Sequence, residues 1–177
     1  MKIKRIGAWV LSLLLLLELF PGMALAVEGE KSFYLAAQTA DKIVILPERI
    51  RFSGECTVAQ ALAQSGHDFS GIESGMIDAI DGVAGNYTRS DELGNADLQA
   101  QVRSGQIVYF SEGEDYQPSA QRVELIKAIA DCRQEASDVQ AAAKQTYDAA
   151  VGAYLNASDV QAKNLSDALR EAVRSYK

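Results

Sequence analysis

Two spacings of apolar residues divide this chain. In KIVILPERIRF (42–52) an apolar run from Ile43 to Leu46 gives way to alternation, with Ile50 and Phe52 on one face and Arg49 and Arg51 on the other. A period of two in branched and aromatic residues predicts a strand. Pro47, which has no N–H to give a ladder, suits an edge or a bulge. FYLAAQ (33–38), MIDAIDG (76–82) and QIVYF (106–110) predict further strands. The period changes in CTVAQALAQSGH, where Val58, Ala61 and Leu62 share one face of a short helix. Thr57 with Gln60 three residues on makes a capping box, and Gly66 marks the stop. The order strand, strand, helix, strand, strand predicts an α+β fold. A β-grasp-like sheet with one helix is the simplest architecture with that order.

From Ser119 onward the spacing is helical. Val123, Ile126, Ile129 and Ala130 form one stripe. Val139, Ala143, Tyr147, Ala150, Val151 and Tyr154 form a second, and Leu165, Ala168, Leu169, Ala172, Val173 and Tyr176 a third. The hexapeptide ASDVQA stands at both 136–141 and 157–162. In each copy a serine precedes a glutamine by three residues, Ser137 with Gln140 and Ser158 with Gln161, so each predicts a capped helix start. Asp138 and Asp159 sit in the first turns, where the helix dipole favours negative charge. The interval of 21 residues holds one helix of about five turns and its connection. Helix duplication and independent recurrence of a good cap explain the repeat equally well. Three short antiparallel helices predict a small three-helix bundle over 118–177. This part of the chain is rich in alanine and has few large side chains, so its core is thin and it is expected to rely on docking against the sheet. EGEDYQPS (112–119), acidic and closed by Pro118, separates it from the sheet domain at 27–117.

The N-terminus changes the compartment. Lys2, Lys4 and Arg5 precede an apolar run from Ile6 to Phe20, broken by Pro21-Gly22 and followed by Ala24-Leu25-Ala26. That is the pattern of a signal peptide, 1–26, cleaved after Ala26. The alternative, an uncleaved anchor, needs about 20 apolar residues, more than this run offers. No cysteine marks the cleavage point for lipid attachment, and ALREAVRSYK at the C-terminus carries no wall-sorting motif or apolar tail. The expected product is soluble, secreted and extracellular, with no membrane span.

The whole chain has 17 basic and 24 acidic residues. The leader removes three bases and Glu18, leaving 14 against 23 and a net charge of −9. Such a chain lacks the basic footprint that nucleic acid and anionic lipid require, so no nucleic-acid partner is expected. Cys56 and Cys132 remain after export, where a disulfide can form, and two buried free thiols are the alternative. The one histidine, His67, stands in a turn-like SGHDFSG. With no serine elbow and no Cys–His spacing, no catalytic residues are assigned and no enzyme activity is expected. Phosphate loops, dinucleotide fingerprints and zinc spacings are absent from the sequence, so no cofactor or metal is assigned. Asp78, Asp81, Asp91, Glu92, Asn95 and Asp97 offer oxygen ligands, but their spacing fits no known calcium loop. The segment 82–105 reads as a long loop, the place where binding is most often carried. Tyr87 and Arg89 on it are the candidate partner-contact residues, their alternative role being turn packing.

Three stretches carry a family resemblance: Thr57-Val58-Ala59-Gln60-Ala61-Leu62, Ile77 through Ile80-Asp81-Gly82-Val83, and Ser104-Gly105-Gln106 before a final strand. Together they resemble the β-grasp domains related to the C-terminal domain of transcobalamin. In bacteria these occur mostly in secreted or surface proteins, many of unknown function. The resemblance spans 33–112. It departs from the family where a Trp-x-Tyr stretch commonly leads into Asn-Gly. Here Ala84-Gly85-Asn86-Tyr87-Thr88 follows Asp81-Gly82-Val83, and the one tryptophan, Trp9, lies in the leader. The helical part, with Asn156-Ala157-Ser158-Asp159 at a turn, resembles the three-helix modules called "found in various architectures", which serve as spacers or protein contacts. The combined expectation is a secreted, non-catalytic binding or adhesion module for a protein or glycan partner at the cell surface. The resemblance to transcobalamin implies a second reading, a corrinoid-like small-molecule carrier. A third is a purely architectural spacer from a surface protein.

Overall fold

The computed structural model describes residues 31–92, 94, 97–113 and 117–177. The expected leader, Asn95 and part of the acidic boundary stretch lie outside the described residues. Among the described residues there are six strands: β1 (Lys31–Gln38), β2 (Ile43–Phe52), β3 (Phe69–Ser70), β4 (Ile77–Ile80), β5 (Val83–Ser90) and β6 (Ile107–Glu112). A short helix α1 (Val58–Ala63) follows β2. Three longer helices close the chain: α2 (Ala120–Gln134), α3 (Ser137–Ala153) and α4 (Asp159–Tyr176). The fold is mixed α+β. The sheet runs β2-β1-β6-β5-β4-β3, with β1 and β6 parallel and every other pair antiparallel.

Alternation along the central strands decides what each face carries. Phe33, Leu35 and Ala37 of β1, with Val108 and Phe110 of β6, join Val58, Ala61 and Leu62 of α1 in one apolar cluster. Ala36 of β1, with Ile107 and Tyr109 of β6, joins Leu125, Ile126, Ile129, Tyr154 and Leu169 of the long helices in another. β1 and β6 are thus buried on both sides, as the unbroken apolar run IVYF requires. Polar ties reinforce the helical side. The Tyr34 hydroxyl donates to Asp131 Oδ1 at 3.0 Å, and Arg49 pairs with the same carboxylate at 3.5 Å.

Pro47 sits at a bulge in the edge strand β2. The register passes from Leu35 opposite Glu48 to Ala37 opposite Ile45, which leaves Leu46 and Pro47 out of the ladder. Their carbonyls accept from Arg133 Nη1 of α2 at 2.8 and 2.9 Å, so the carbonyls freed by the bulge are still satisfied.

Two findings depart from expectation. Residues 83–90, expected as the front of a long loop, form strand β5. Asp81 (φ 48°) and Gly82 (φ 75°) both adopt the left-handed conformation, and Ile80 pairs with Val83 across them. That is the type I′ hairpin turn for which Asp-Gly is a favoured pair, because its twist matches that of the flanking strands. The second departure is the use of the repeated hexapeptide. Ser158 and Gln161 form the expected capping box at the start of α4. Ser137 does not cap α3; the cap position is Ala136, without a side-chain bond. Gln140 Nε2 instead donates to the carbonyls of Arg133 and Glu135, at 3.2 and 2.7 Å. The tight corner puts the unsatisfied carbonyls at the end of α2 within its reach, and the glutamine serves them. Replacing Ser158 with alanine is therefore expected to cost about 1 kcal/mol, whereas Ser137→Ala should change stability by only a few tenths of that. Paired urea titrations check the difference.

Candidate functional site

The one histidine joins distant parts of the fold. His67 lies between α1 and β3, two residues before the far edge strand. Its Nδ1 meets Asp81 Oδ2 at 2.6 Å, and its Nε2 meets Glu48 Oε1. Glu48 belongs to β2 and Asp81 to the β4–β5 turn, so the sheet curls until one imidazole ring reaches from near one end to the other. The line continues in both directions. Arg133 of α2 approaches Glu48 Oε2 at 3.8 Å from the helical side, and Asp81 Oδ1 accepts from the Asp68 amide at 2.9 Å. Phe69 lies edge-on to the His67 ring at 6.4 Å and packs on Phe110 at 5.5 Å, so the polar line borders the apolar cluster beneath α1.

The groups around this ring favour its charged form. Burial alone would lower its proton affinity, but the hydrogen bonds to Asp81 and Glu48 and their charges outweigh that and raise it above the ordinary histidine value. Asp81 is also partly desolvated, yet the Asp68 amide and His67 hold it below the usual aspartate range. The two shifts agree: both favour an imidazolium between carboxylates. While protonated and engaged at both nitrogens, the ring has no free lone pair to act as a base or to ligate a metal.

The candidate contact residues are placed differently from the expectation. Tyr87 and Arg89 are buried, 5 % and 4 % exposed, and are not a solvent-facing patch. The strand explains this, because β5 turns both side chains to the same inner side while Asn86 stays exposed. The Tyr87 hydroxyl donates to the Val83 carbonyl at 3.2 Å. Arg89 donates to the Asp97 carbonyl and lies 3.6 Å from the Asp91 carboxylate, itself 1 % exposed. Gln106 Nε2 donates to Asp91 at 3.0 Å, and Glu92 accepts from the Ile107 amide at 3.0 Å. Most of the acidic segment read for calcium chemistry is thus spent on internal bonds. Among the described residues no group of three or more His, Cys, Asp or Glu is placed to hold a metal.

What Tyr87 and Arg89 do is floor a cleft of about 290 Å³, whose rim includes Met76, Asn86 and Thr88. Met76 is 67 % exposed, which is unusual for so large an apolar side chain. Sequence reasoning missed Met76 because it took MIDAIDG as strand throughout. In fact the strand begins one residue later, after a turn in which Gly71 and Gly75 both have positive φ. At Gly71 a Cβ would meet the Met76 carbonyl at 2.1 Å, so only glycine fits there.

The two cysteines are free thiols in different clusters. Cys56 lies on the α1 side of the sheet and Cys132 on the helical side. Burial raises the proton affinity of both, more than Lys31 lowers it at Cys56 and with Glu135 adding to it at Cys132, so neither is activated as a nucleophile. No family model, curated protein or solved structure matches this chain.

Proposed function

We propose that this chain is a secreted, extracellular, non-catalytic binding module for a protein or glycan partner at the cell surface. Its two parts would be a β-grasp-like sheet of the transcobalamin-related kind and a three-helix bundle. The strand order supports the first part of that reading: a β1–β2 hairpin, a helix across one face, and a last strand returning parallel beside β1. The helical part fits a spacer that docks on the sheet through Tyr109, Ile107 and Ala36. The histidine held between Glu48 and Asp81 supports the non-catalytic half, since in the protonated, closed arrangement both ring nitrogens are engaged by carboxylates.

The observation that carries the reading is the rim of the cleft. Met76 exposes a flexible, polarizable side chain beside the polar Asn86 and Thr88 of β5, and such side chains adapt to a partner surface at little cost. The floor of Tyr87 and Arg89 is buried and tied by internal bonds to the Val83 and Asp97 carbonyls. Binding of the immobilised chain to a surface extract of the producing cells, and to a glycan array, tests it. Met76→Glu is expected to weaken capture about tenfold, the effect of losing roughly 1.4 kcal/mol at a contact, with the far-UV spectrum unchanged. Undiminished capture by that variant would remove the cleft from the contact surface.

A further inference from the structure

We propose that His67 is a pH-sensitive clasp: as an imidazolium it donates to Glu48 and Asp81 together and holds the two ends of the curled sheet, and on deprotonation it releases one of them. The inference does not depend on the binding reading above.

Geometry carries it. The ring is the only side chain among the described residues seen to touch both β2 and the β4–β5 turn, through 2.6 Å to Asp81 and a direct bond to Glu48. β2 and β3 stand at opposite ends of the strand order and are not paired with each other. β3 itself is two residues long, held by Phe69 opposite Ile80 and Ser70 opposite Ala79. So small a ladder has little strength of its own. A neutral imidazole carries one N–H and can serve one carboxylate as donor, leaving its other nitrogen facing a carboxylate oxygen lone pair. That contact is repulsive. The charged groups around the ring are Glu48 of β2, Asp81 of the turn, Arg133 of α2 against Glu48, and the neighbouring Asp68, whose amide binds Asp81. Arg133, itself bound to the Leu46 and Pro47 carbonyls, holds Glu48 toward the helical side. Asp81 and the β3–β4 segment are therefore the part that lets go.

The sign follows from counting protons. The clasped form holds its proton to higher pH than an open form does, so between the two midpoints opening releases a proton and is favoured as pH rises. Below the open-form value, about 6.5 for histidine, the clasp is fully effective. Above the clasped midpoint the effect is complete.

The chain has one histidine, so its ring protons report the clasp without ambiguity by NMR. Opening is read in the same samples from hydrogen exchange at the Asp68 and Asp81 amides. These bond to Asp81 Oδ1 and to the Asp68 carbonyl, each at 2.9 Å. The expected ring midpoint lies above the ordinary histidine value. After correction for intrinsic exchange, the opening constant at both amides should rise about tenfold per pH unit between roughly 6.5 and that midpoint, and level off beyond it. Asp81→Asn, an amide side chain that tolerates left-handed backbone, should lower the midpoint and move the rise to lower pH while the folded spectrum persists. Glu48→Gln should do the same from the other side. A midpoint at or below the ordinary value in the parent protein, or amide exchange that stays flat through the midpoint, would overturn the clasp.

Discussion

Asp91→Ala is expected to destabilise the protein by about 3–5 kcal/mol, the range for removing one partner of a buried ion pair. Asp91 is 1 % exposed, faces Arg89 at 3.6 Å, and accepts from Gln106 at 3.0 Å. Removing the carboxylate leaves the Arg89 guanidinium desolvated, with its nearest counter-charge gone. It also strips Gln106 of an acceptor. Burial already makes the guanidinium easier to deprotonate than an ordinary arginine, against the pull of Asp91 and Asp97, which is the mark of a charge kept in place by its neighbours. Asp91→Asn keeps the shape and an acceptor and should cost distinctly less. Denaturant midpoints for the pair measure this, and equal, small losses would mean that water reaches Arg89. By the same logic, a change at Tyr87 and Arg89 together should disturb folding before it reports on binding.

The second large effect concerns the joint between sheet and helices. Tyr109→Ala should cost about 3–5 kcal/mol, as large aromatic truncations in a core do. Tyr109 is fully buried at the middle of β6 and faces the helical side, in the same cluster as Ile126, Ile129, Tyr154 and Leu169. Its loss opens a cavity shared by both layers. Unfolding followed by the helical signal and by tyrosine fluorescence should therefore shift together to lower denaturant. A helical transition that stays where it was would mean that α2, α3 and α4 stand without the sheet.

How far the sequence could be read depended on whether the signal was local. The caps at Thr57 and Ser158 were legible because a capping box is fixed within four residues and both form. Pro47 pointed to an edge or a bulge, and it lies at both, since a missing N–H restricts a residue wherever it sits. The strand at 83–90 was readable in principle from the Asp81-Gly82 pair. Gly85 and Asn86, both poor strand formers, hid it behind a loop-like composition. Gln140 shows the limit from the other side: the same six residues that cap α4 do different work at α3, because a neighbouring helix end offers competing acceptors. The site was less legible than the fold. His67 stands out as the one histidine, but nothing near it in the chain points to Glu48, 19 residues earlier, or to Arg133 on another layer. Those contacts exist only because the sheet curls.

The rim at Met76 is the proposed seat of the partner. Met76 is the one methionine beyond the expected leader, so a photo-reactive methionine analogue places a cross-linker at that rim alone. Irradiation with a surface extract of the producing cells should give a protein or glycan adduct mapped to position 76, and an excess of unlabelled chain should suppress it. A chain that captures a partner yet gives no adduct at Met76 would contradict the account and move the contact surface elsewhere.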